Sequence, residues 1–248
     1  PLQTWPELFN GREIFIRIDP DKGDGHHQHV VTSGSGSKFG VSLDQVDELK
    51  RLVSASGALV IGIHGHNGSG ILNPRNWQFV ANILAGVAKE FPGARTLDLG
   101  GGIGVPDKLD DEPFDLLAFD ELLNKFLSEH PQYELWLEPG RYLVAVAGVL
   151  LTHVTQIKES GANYYIGVNT GINSLIRPAL YDAYHEIINL SRIGEPATKS
   201  ATVVGPICET GDKLGIDRLL PATQENDVML IANAGAYGHV MSSNYNLR

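Results

Sequence analysis

Three consecutive glycines end an apolar run and could hold a phosphate group. The stretch TLDLGGGIGVP at 96–106 places Gly100–Gly102 directly after that run. The backbone N–H groups of such a turn can surround one phosphate, although tight packing of the turn is the structural alternative. A dinucleotide fingerprint would need a third glycine where Val105 stands, and the P-loop pattern is absent. The pattern therefore favours a smaller phosphorylated group over a dinucleotide.

The stretch EPGRY at 138–142 places a carboxylate and a guanidinium three residues apart. Arg141 could neutralise Glu138 in a structural ion pair. Alternatively, Glu138 could hold the proton of a ring nitrogen while Arg141 binds an anion. A pyridoxal phosphate (PLP) site requires both, because a protonated pyridine nitrogen makes the ring an electron sink. Both interpretations stay open at this point.

Two histidines alternate in GIHGHNGSG at 62–70, at the end of another apolar run. His-x-His can bind zinc, but no further histidine lies at an obvious strand end, whether His130, His153, His185 or His239. We therefore predict no metal site. We interpret His64 as a core histidine with satisfied hydrogen bonds. His66 is interpreted as an imidazole that stacks on a flat ring beside the NGSG turn, and the HHQH stretch at 26–29 as solvated.

The lone cysteine lies in GPICETGDKL at 205–214. Its polar neighbours argue against a buried position in the core. A loop that presents the Cys208 thiol and a carboxylate together suits proton delivery to a carbanion. Nearer the end of the chain, Tyr237 lies close to glycines on both sides in NAGAYGHV, where its phenol could reach a phosphate.

The elements that must position these residues change in character near residue 140. Over 13–138, four β-rich runs alternate with helical patterns, which predicts βα units and a parallel sheet. Polar or glycine residues follow each strand, as in a TIM-type barrel or an open doubly wound sheet. Later runs are short and β-rich with no convincing helix, which predicts a mainly antiparallel β-domain. The expected domains are 1–143 and 144–248.

Composition excludes several classes of partner. The 248 residues include 19 Lys and Arg against 29 Asp and Glu, a net charge of −10. This acidity argues against nucleic acid and against anionic membrane surfaces, and LVAVAGVLL is far too short for a membrane span. A single cysteine and the lack of a signal peptide lead us to expect a cytoplasmic protein. Because the sequence opens on Pro1 without a Met, we expect a piece of a longer chain.

Seven motifs in order resemble the fold type III PLP-dependent decarboxylases, the family that acts on ornithine, diaminopimelate and arginine. They are SKFG, H-x-GSG, LDLGGG, EPGRY, RPALYDAYH, GPICETGD and GAYGHVMSSNYN, and the resemblance spans residues 13–248. It implies an α/β fold, with the C-terminal half of a TIM-type barrel followed by the mainly antiparallel β-domain. It also implies a homodimer that shares its active sites and decarboxylates meso-2,6-diaminopimelate to L-lysine in lysine biosynthesis. The alternatives are a decarboxylase of another basic amino acid or carboxylated polyamine, and a non-catalytic homologue that binds a partner.

The resemblance implies a role for each motif residue in binding the cofactor. His66 would stack on the PLP ring and take part in catalysis, and Glu138 would hold the pyridinium proton. The phosphate would be bound by Ser69, Gly101, Gly102 and Tyr237, with Arg141 at the phosphate and the substrate carboxylate.

The same resemblance implies how the substrate is bound. Arg177 and Tyr181 would clamp the far carboxylate and amine of diaminopimelate, and Tyr237 would also contact the substrate. Cys208 would donate the proton and Glu209 would recognise the distal amino group, both reaching the neighbouring subunit's site. The family's Schiff-base lysine lies on the first barrel strand, and no lysine here matches its motif, including Lys22, Lys38, Lys50 and Lys89.

Overall fold

The computed structural model describes residues 1–20, 24–25, 38–108 and 110–248. The HHQH stretch and Lys22 lie outside these residues. Contacts divide the chain into two compact units, Pro1–Gly104 with Pro113–Gly140, and Val105–Glu112 with Arg141–Arg248. The domain limits 1–143 and 144–248 stay a prediction. Every helix in the described part of the chain is too short or too polar to cross a bilayer.

The first unit is built on four parallel strands with helical crossovers, as the alternating patterns predict. The strands are β1 (Glu13–Ile18), β3 (Leu59–Gly65), β5 (Thr96–Asp98) and β6 (Glu134–Trp136), in the order β1-β3-β5-β6. They are connected by α1 (Val46–Ser56), α2 (Arg75–Ala88) and α3 (Leu116–Glu129). The two-residue strands β2 (Asp24–Gly25) and β4 (Gly68–Ser69) form a separate parallel pair.

Local sequence signals set the helix ends in this unit. Asp115 caps α3, since its side chain accepts a hydrogen bond from the Ala118 amide at 2.9 Å. Gly57 ends α1 in the left-handed conformation (φ 69°), and its amide donates to the Val53 carbonyl. Helix α2 starts directly after Pro74, which occupies its N-cap position.

The register of the parallel sheet places three polar residues in one row. Arg17 on β1 pairs with His64 on β3, and His64 pairs with Asp98 on β5. Their strand neighbours are fully buried aliphatic residues, namely Ile18, Ile63, Leu97 and Leu99. Because side chains alternate along a strand, the aliphatic residues fill one face and the polar row lies on the other.

The second unit contains a six-stranded sheet that is mainly antiparallel, as predicted. Its strands are β7 (Leu150–Ser160), β8 (Asn163–Val168), β9 (Ile187–Asn189), β10 (Lys199–Val204), β11 (Lys213–Leu220) and β12 (Val228–Ile231). Their order is β11-β10-β8-β7-β12-β9, and only β8 and β10 pair in parallel. The first and last strands approach each other, since a Cβ at Gly215 would lie 2.7 Å from Ile187 Cδ1. The sheet is therefore a nearly closed barrel.

Three elements of the second unit escape the sequence patterns. The prediction of no helix is wrong, because α4 (Gly140–Val144) and α5 (Arg177–Tyr181) form, each only five residues long. Pro178 supplies a favourable start for α5, and Asp182 ends it in the left-handed conformation (φ 50°). No sequence pattern indicates strand β11, because Gly215, a left-handed Asp217 (φ 51°) and a shift of register against β10 break its alternation.

Trp77 on α2 is the largest fully buried side chain of the first unit, at 0% exposure. Its ring makes edge contacts with Phe114 and Phe119, with centroids 5.5 and 5.4 Å away. The indole Nε1 is buried without a hydrogen-bond partner among the described residues. Packing, and not hydrogen bonding, is therefore what Trp77 contributes.

We expect Trp77→Ala to lower the free energy of unfolding by about 3–5 kcal/mol, because it leaves a large cavity. Trp77→Phe keeps a ring and removes an unpaired N–H, so its cost should stay below about 1.5 kcal/mol. Urea unfolding of the purified chain measures both. Equal losses in the two variants would show that the aromatic packing is not what stabilises this region.

Candidate active site

The polar row continues to a carboxylate that follows β6. The imidazole Nε2 of His64 lies 3.3 Å from Glu138 Oε2, although the two groups are not aligned for a hydrogen bond. One ligand atom from each of His64, Asp98 and Glu138 lies within 4.8 Å of the others. We call Arg17, His64, His66, Asp98 and Glu138 the histidine–carboxylate cluster. It lies at the carboxyl ends of the strands, where βα proteins position reactive groups.

The interpretation of His64 as a satisfied core histidine is wrong. Its Nε2 is buried and has no hydrogen-bond partner among the described residues. The same is true of Arg17 Nη2 and Asn67 Oδ1. The cause is the sheet register, which turns His64 toward Glu138 and away from the aliphatic face.

His64, Asp98 and Glu138 could also ligate a metal ion, but Asp98 Oδ1 already accepts the Gly100 N–H at 2.9 Å. The absence of a metal site stays a prediction.

His66 is held as a neutral imidazole with a defined tautomer. Its Nδ1 accepts a hydrogen bond from the Gly101 amide at 3.1 Å, so a neutral ring carries its hydrogen on Nε2. Burial lowers the pKa of His66 from 6.5 to about 4, and the nearby Arg17 and His64 lower it further while Asp98 opposes them. The ring orientation is therefore fixed from the glycine turn.

The glycine turn is required by close backbone packing. A Cβ at Gly101 would lie 2.2 Å from the Glu138 carbonyl oxygen, and one at Gly102 would lie 2.4 Å from that of Gly68. The Ile71 amide also donates to the Gly102 carbonyl at 2.9 Å, which places the NGSG turn beside the glycines. The predicted phosphate-binding segments are thus adjacent. The phosphate role of Ser69, Gly101 and Gly102 stays a prediction.

In the second unit two arginines and two tyrosines come together. The Arg141 guanidinium lies 4.7 Å from the ring centroid of Tyr237. Burial lowers the pKa of Arg141. Burial also lowers the pKa of Arg177 to about 10, and the charge of Arg141 lowers it further, whereas Asp107, Tyr181 and Tyr237 raise it. We call Arg141, Arg177, Tyr181 and Tyr237 the arginine–tyrosine cluster. A buried cation and a half-buried one whose charges repel would gain from a bound anion.

Cys208 and Glu209 lie on a loop that a buried carboxylate fixes. Asp212, at 3% exposure, accepts hydrogen bonds from the amides of Ile172 and Ile207, each at 2.7 Å. Cys208 is exposed with a free thiol, in keeping with its polar neighbours. A hydrogen bond to Glu209 raises the pKa of the Tyr245 hydroxyl. The loop therefore presents a thiol and a carboxylate side by side.

Sequence reasoning missed Arg17, Asp98 and His185. Arg17 and Asp98 each stand as a single polar residue between aliphatic residues of a parallel strand, in IRI and LDL. That interruption is the signal that could have found them, because a strand buried on both faces is otherwise continuously apolar. The sequence indicates His185 only as a possible zinc ligand, and the structure places it against Arg177 instead.

We predict that His66 stays neutral down to about pH 4, well below its usual pKa of 6.5. The folded state resists protonation, so His66 stabilises the fold fully above pH 6.5 and loses that contribution between pH 6.5 and about pH 4. The NMR shift of the His66 Cε1 resonance reports the titration. Because His66→Gln has no imidazole to protonate, its free energy of unfolding should decrease less than that of the wild type as the pH falls from 7 to 4.5. A midpoint near 6.5 would contradict the buried, acceptor-bound imidazole.

Two family models match the chain. The pyridoxal binding domain of pyridoxal-dependent decarboxylases matches residues 2–145. The C-terminal sheet domain of the same enzymes matches residues 78–235. Together they cover both the parallel sheet and the antiparallel one.

Individual relatives agree with the family models. The chain is 41% identical to the diaminopimelate decarboxylase of Methanothermobacter thermautotrophicus, over 96% of this chain and 58% of that protein. A crystal structure of a diaminopimelate decarboxylase matches with a TM-score of 0.89 and 32% identity, over all of this chain and 62% of the other. The Helicobacter pylori diaminopimelate decarboxylase complexed with L-lysine matches with a TM-score of 0.81 and 30% identity, over 94% of this chain and 59% of that chain.

The chain thus spans about three fifths of the length of these relatives. Their fold confirms the predicted partial TIM-type barrel with a β-domain. The histidine–carboxylate cluster, the glycine turn and the matched domains agree, and the chain belongs to the pyridoxal-dependent decarboxylase family.

Proposed function

We propose that this chain serves the PLP-dependent decarboxylation of meso-2,6-diaminopimelate to L-lysine. The observation that carries the proposal is Arg177, which is 6% exposed and lies next to a second arginine. Among the described residues no carboxylate forms an ion pair with its guanidinium. A buried cation without an ion-pair partner is costly, and the nearby charge of Asp107 offsets only part of that cost. A substrate with a second carboxylate supplies that ion-pair partner. Ornithine and arginine each have only one carboxylate, the group that leaves as CO₂.

The histidine–carboxylate cluster fits a pyridoxal ring. The neutral His66, oriented by the Gly101 amide, would stack on the flat ring. Glu138, with 56% of its side chain exposed, would accept a hydrogen bond from the protonated pyridine nitrogen. When bound, PLP supplies an electron sink for the carbanion that loss of CO₂ leaves. An acidic partner for that nitrogen and a neutral stacking ring are the groups such a cofactor needs from the protein.

We assign the phosphate and the substrate to the remaining motif residues. Ser69, Gly101 and Gly102 would donate to the phosphate, and Tyr237 and Arg141 would bind its charge. Arg177 and Tyr181 would hold the far carboxylate and amine of diaminopimelate, and Arg141 and Tyr237 would contact the substrate as well. Glu209 would recognise the distal amino group. The depressed pKa values of the two arginines support anion binding in the arginine–tyrosine cluster.

Cys208 Sγ is proposed to hold the proton that is delivered to the carbanion carbon. Its thiol is exposed on a loop that Asp212 fixes. We propose that this loop reaches the active site of a second copy, so the working form is a homodimer, and that it acts in the cytoplasm. The exposure of Cys208 and Glu209 supports a role outside the loop's own unit.

We expect the purified chain to bind PLP, and Gly101→Ala to weaken that binding about tenfold or more. A Cβ at this position cannot fit beside the Glu138 carbonyl, so both the turn and Glu138 must move. Gly86→Ala on α2 is the matched control, because a Cβ there meets nothing within 4 Å. Titration of PLP absorbance measures the affinity. No binding by the wild type, or equal binding by both variants, would contradict the assigned cradle.

Cys208→Ala should slow the release of L-lysine from meso-diaminopimelate by roughly 10²–10⁴-fold, the usual contribution of a positioned acid. PLP affinity should stay unchanged, since the thiol is assigned to the substrate and not to the cofactor. Amino-acid analysis of the reaction measures lysine. Unchanged turnover would remove Cys208 from the reaction.

The same assay separates the alternatives. Release of putrescine from ornithine, or of agmatine from arginine, with no lysine from diaminopimelate would favour another basic substrate. PLP binding without turnover of any of the three would identify a chain that carries only part of the catalytic set.

A further inference from the structure

His185 is the most deeply buried histidine that the described residues contain, at 0% exposure, and the proposed chemistry does not use it. It precedes β9, in the stretch YHEI that follows α5. Both of its ring nitrogens are engaged: Nδ1 lies 2.8 Å from the Ala232 carbonyl oxygen, and Nε2 lies 2.8 Å from Arg177 Nη1.

These two contacts define the tautomer of His185. A carbonyl oxygen can only accept, so Nδ1 carries the hydrogen. A guanidinium can only donate, so Nε2 must keep its lone pair. The ring is therefore a neutral imidazole with one donor and one acceptor, both used. Burial lowers its pKa to about 4, and the charges of Arg177, Arg218 and Arg141 lower it further, while the Ala232 carbonyl raises it.

The neutrality of the acceptor matters for Arg177. A carboxylate in the place of His185 would also orient the guanidinium, but it would neutralise its charge. A neutral imidazole orients one N–H and carries no negative charge of its own that would neutralise the guanidinium. The remaining N–H donors of the guanidinium, which has five in a fixed plane, stay available to a carboxylate.

We infer that His185 is a positioning residue for Arg177: as a neutral hydrogen-bond acceptor it holds the guanidinium in place and leaves its charge for the far carboxylate of the substrate. This inference rests on the proposed function, because it takes Arg177 as the binding group for that carboxylate. His185 itself touches neither the cofactor nor the reacting atoms in this proposal.

The test uses sodium pimelate, a seven-carbon dicarboxylate without the two amines, and calorimetric titration of the purified chain. His185→Gln retains an acceptor and a donor, so its Kd should stay within about threefold of the wild type. His185→Leu removes the acceptor, and His185→Asp retains an acceptor but neutralises Arg177. Each should raise the Kd about tenfold or more. His153→Leu, at an exposed histidine of β7, is the matched control and should change nothing.

Two outcomes would overturn the inference. Pimelate binding by His185→Leu at wild-type affinity would show that Arg177 needs no positioning. So would tight binding by His185→Asp, since a neutral acceptor would then be unnecessary. Arg177→Met distinguishes failure of this inference from failure of the proposed function. If Arg177→Met also binds pimelate with wild-type affinity, the proposed carboxylate site is wrong. If Arg177→Met loses pimelate binding, the carboxylate site stands and only the role of His185 is wrong.

A spectroscopic readout keeps the inference testable even if His185→Leu does not fold. The ¹⁵N NMR shifts of His185 in the wild type should show a protonated Nδ1 and an unprotonated Nε2 from pH 5 to pH 8. Protonation of Nε2 in that range would overturn the inference. PLP affinity measured on the same variants should stay unchanged, which separates a local effect on Arg177 from a general loss of structure.

Discussion

The register of the parallel sheet is the constraint on which the rest of the first unit depends. It aligns Arg17, His64 and Asp98 in one row and sends their aliphatic neighbours to the opposite face. A slip of one residue would exchange the two faces, placing three polar groups in the aliphatic layer. Burial of Ile18, Ile63 and Leu97 therefore fixes where the polar side chains point.

The glycine turn orients a side chain of the histidine–carboxylate cluster, because its backbone reaches that cluster directly. Without a Cβ, the turn packs directly against backbone oxygens of two neighbouring strand-end segments. That approach lets the Gly101 amide reach His66, whose tautomer and orientation follow from the hydrogen bond. Packing and chemistry are thus not competing explanations for the glycines: the close packing is what delivers the amide to the imidazole.

The second unit solves a different problem, the burial of positive charge. Burial lowers the pKa of both Arg141 and Arg177, and the charge of Arg141 lowers the pKa of Arg177 further. Tyrosine rings and a neutral histidine surround these cations with groups that stabilise a guanidinium and carry no charge of their own. By contrast, the buried carboxylate of Asp212 is fully used inside the protein, on two amides that hold the Cys208 loop. The negative charge of Asp212 thus serves the structure, whereas the charge of Arg177 has no ion-pair partner among the described residues.

Much of this protein follows from sequence alone. The apolar periodicities and their spacing predict the four parallel strands, their helices and most of the antiparallel strands, since local patterns carry that information. The order of the motifs indicates the family, and Cys208 is expected outside the core because its neighbours are polar.

Only the tertiary structure decided which side chains meet. His64 beside Glu138 depends on sheet register, and His185 on Arg177 depends on a contact with Ala232, 47 residues further along the chain. Strand β11 depends on its partner β10, because its own alternation is broken. Such contacts lie beyond any local pattern, since they form only when distant segments share one core.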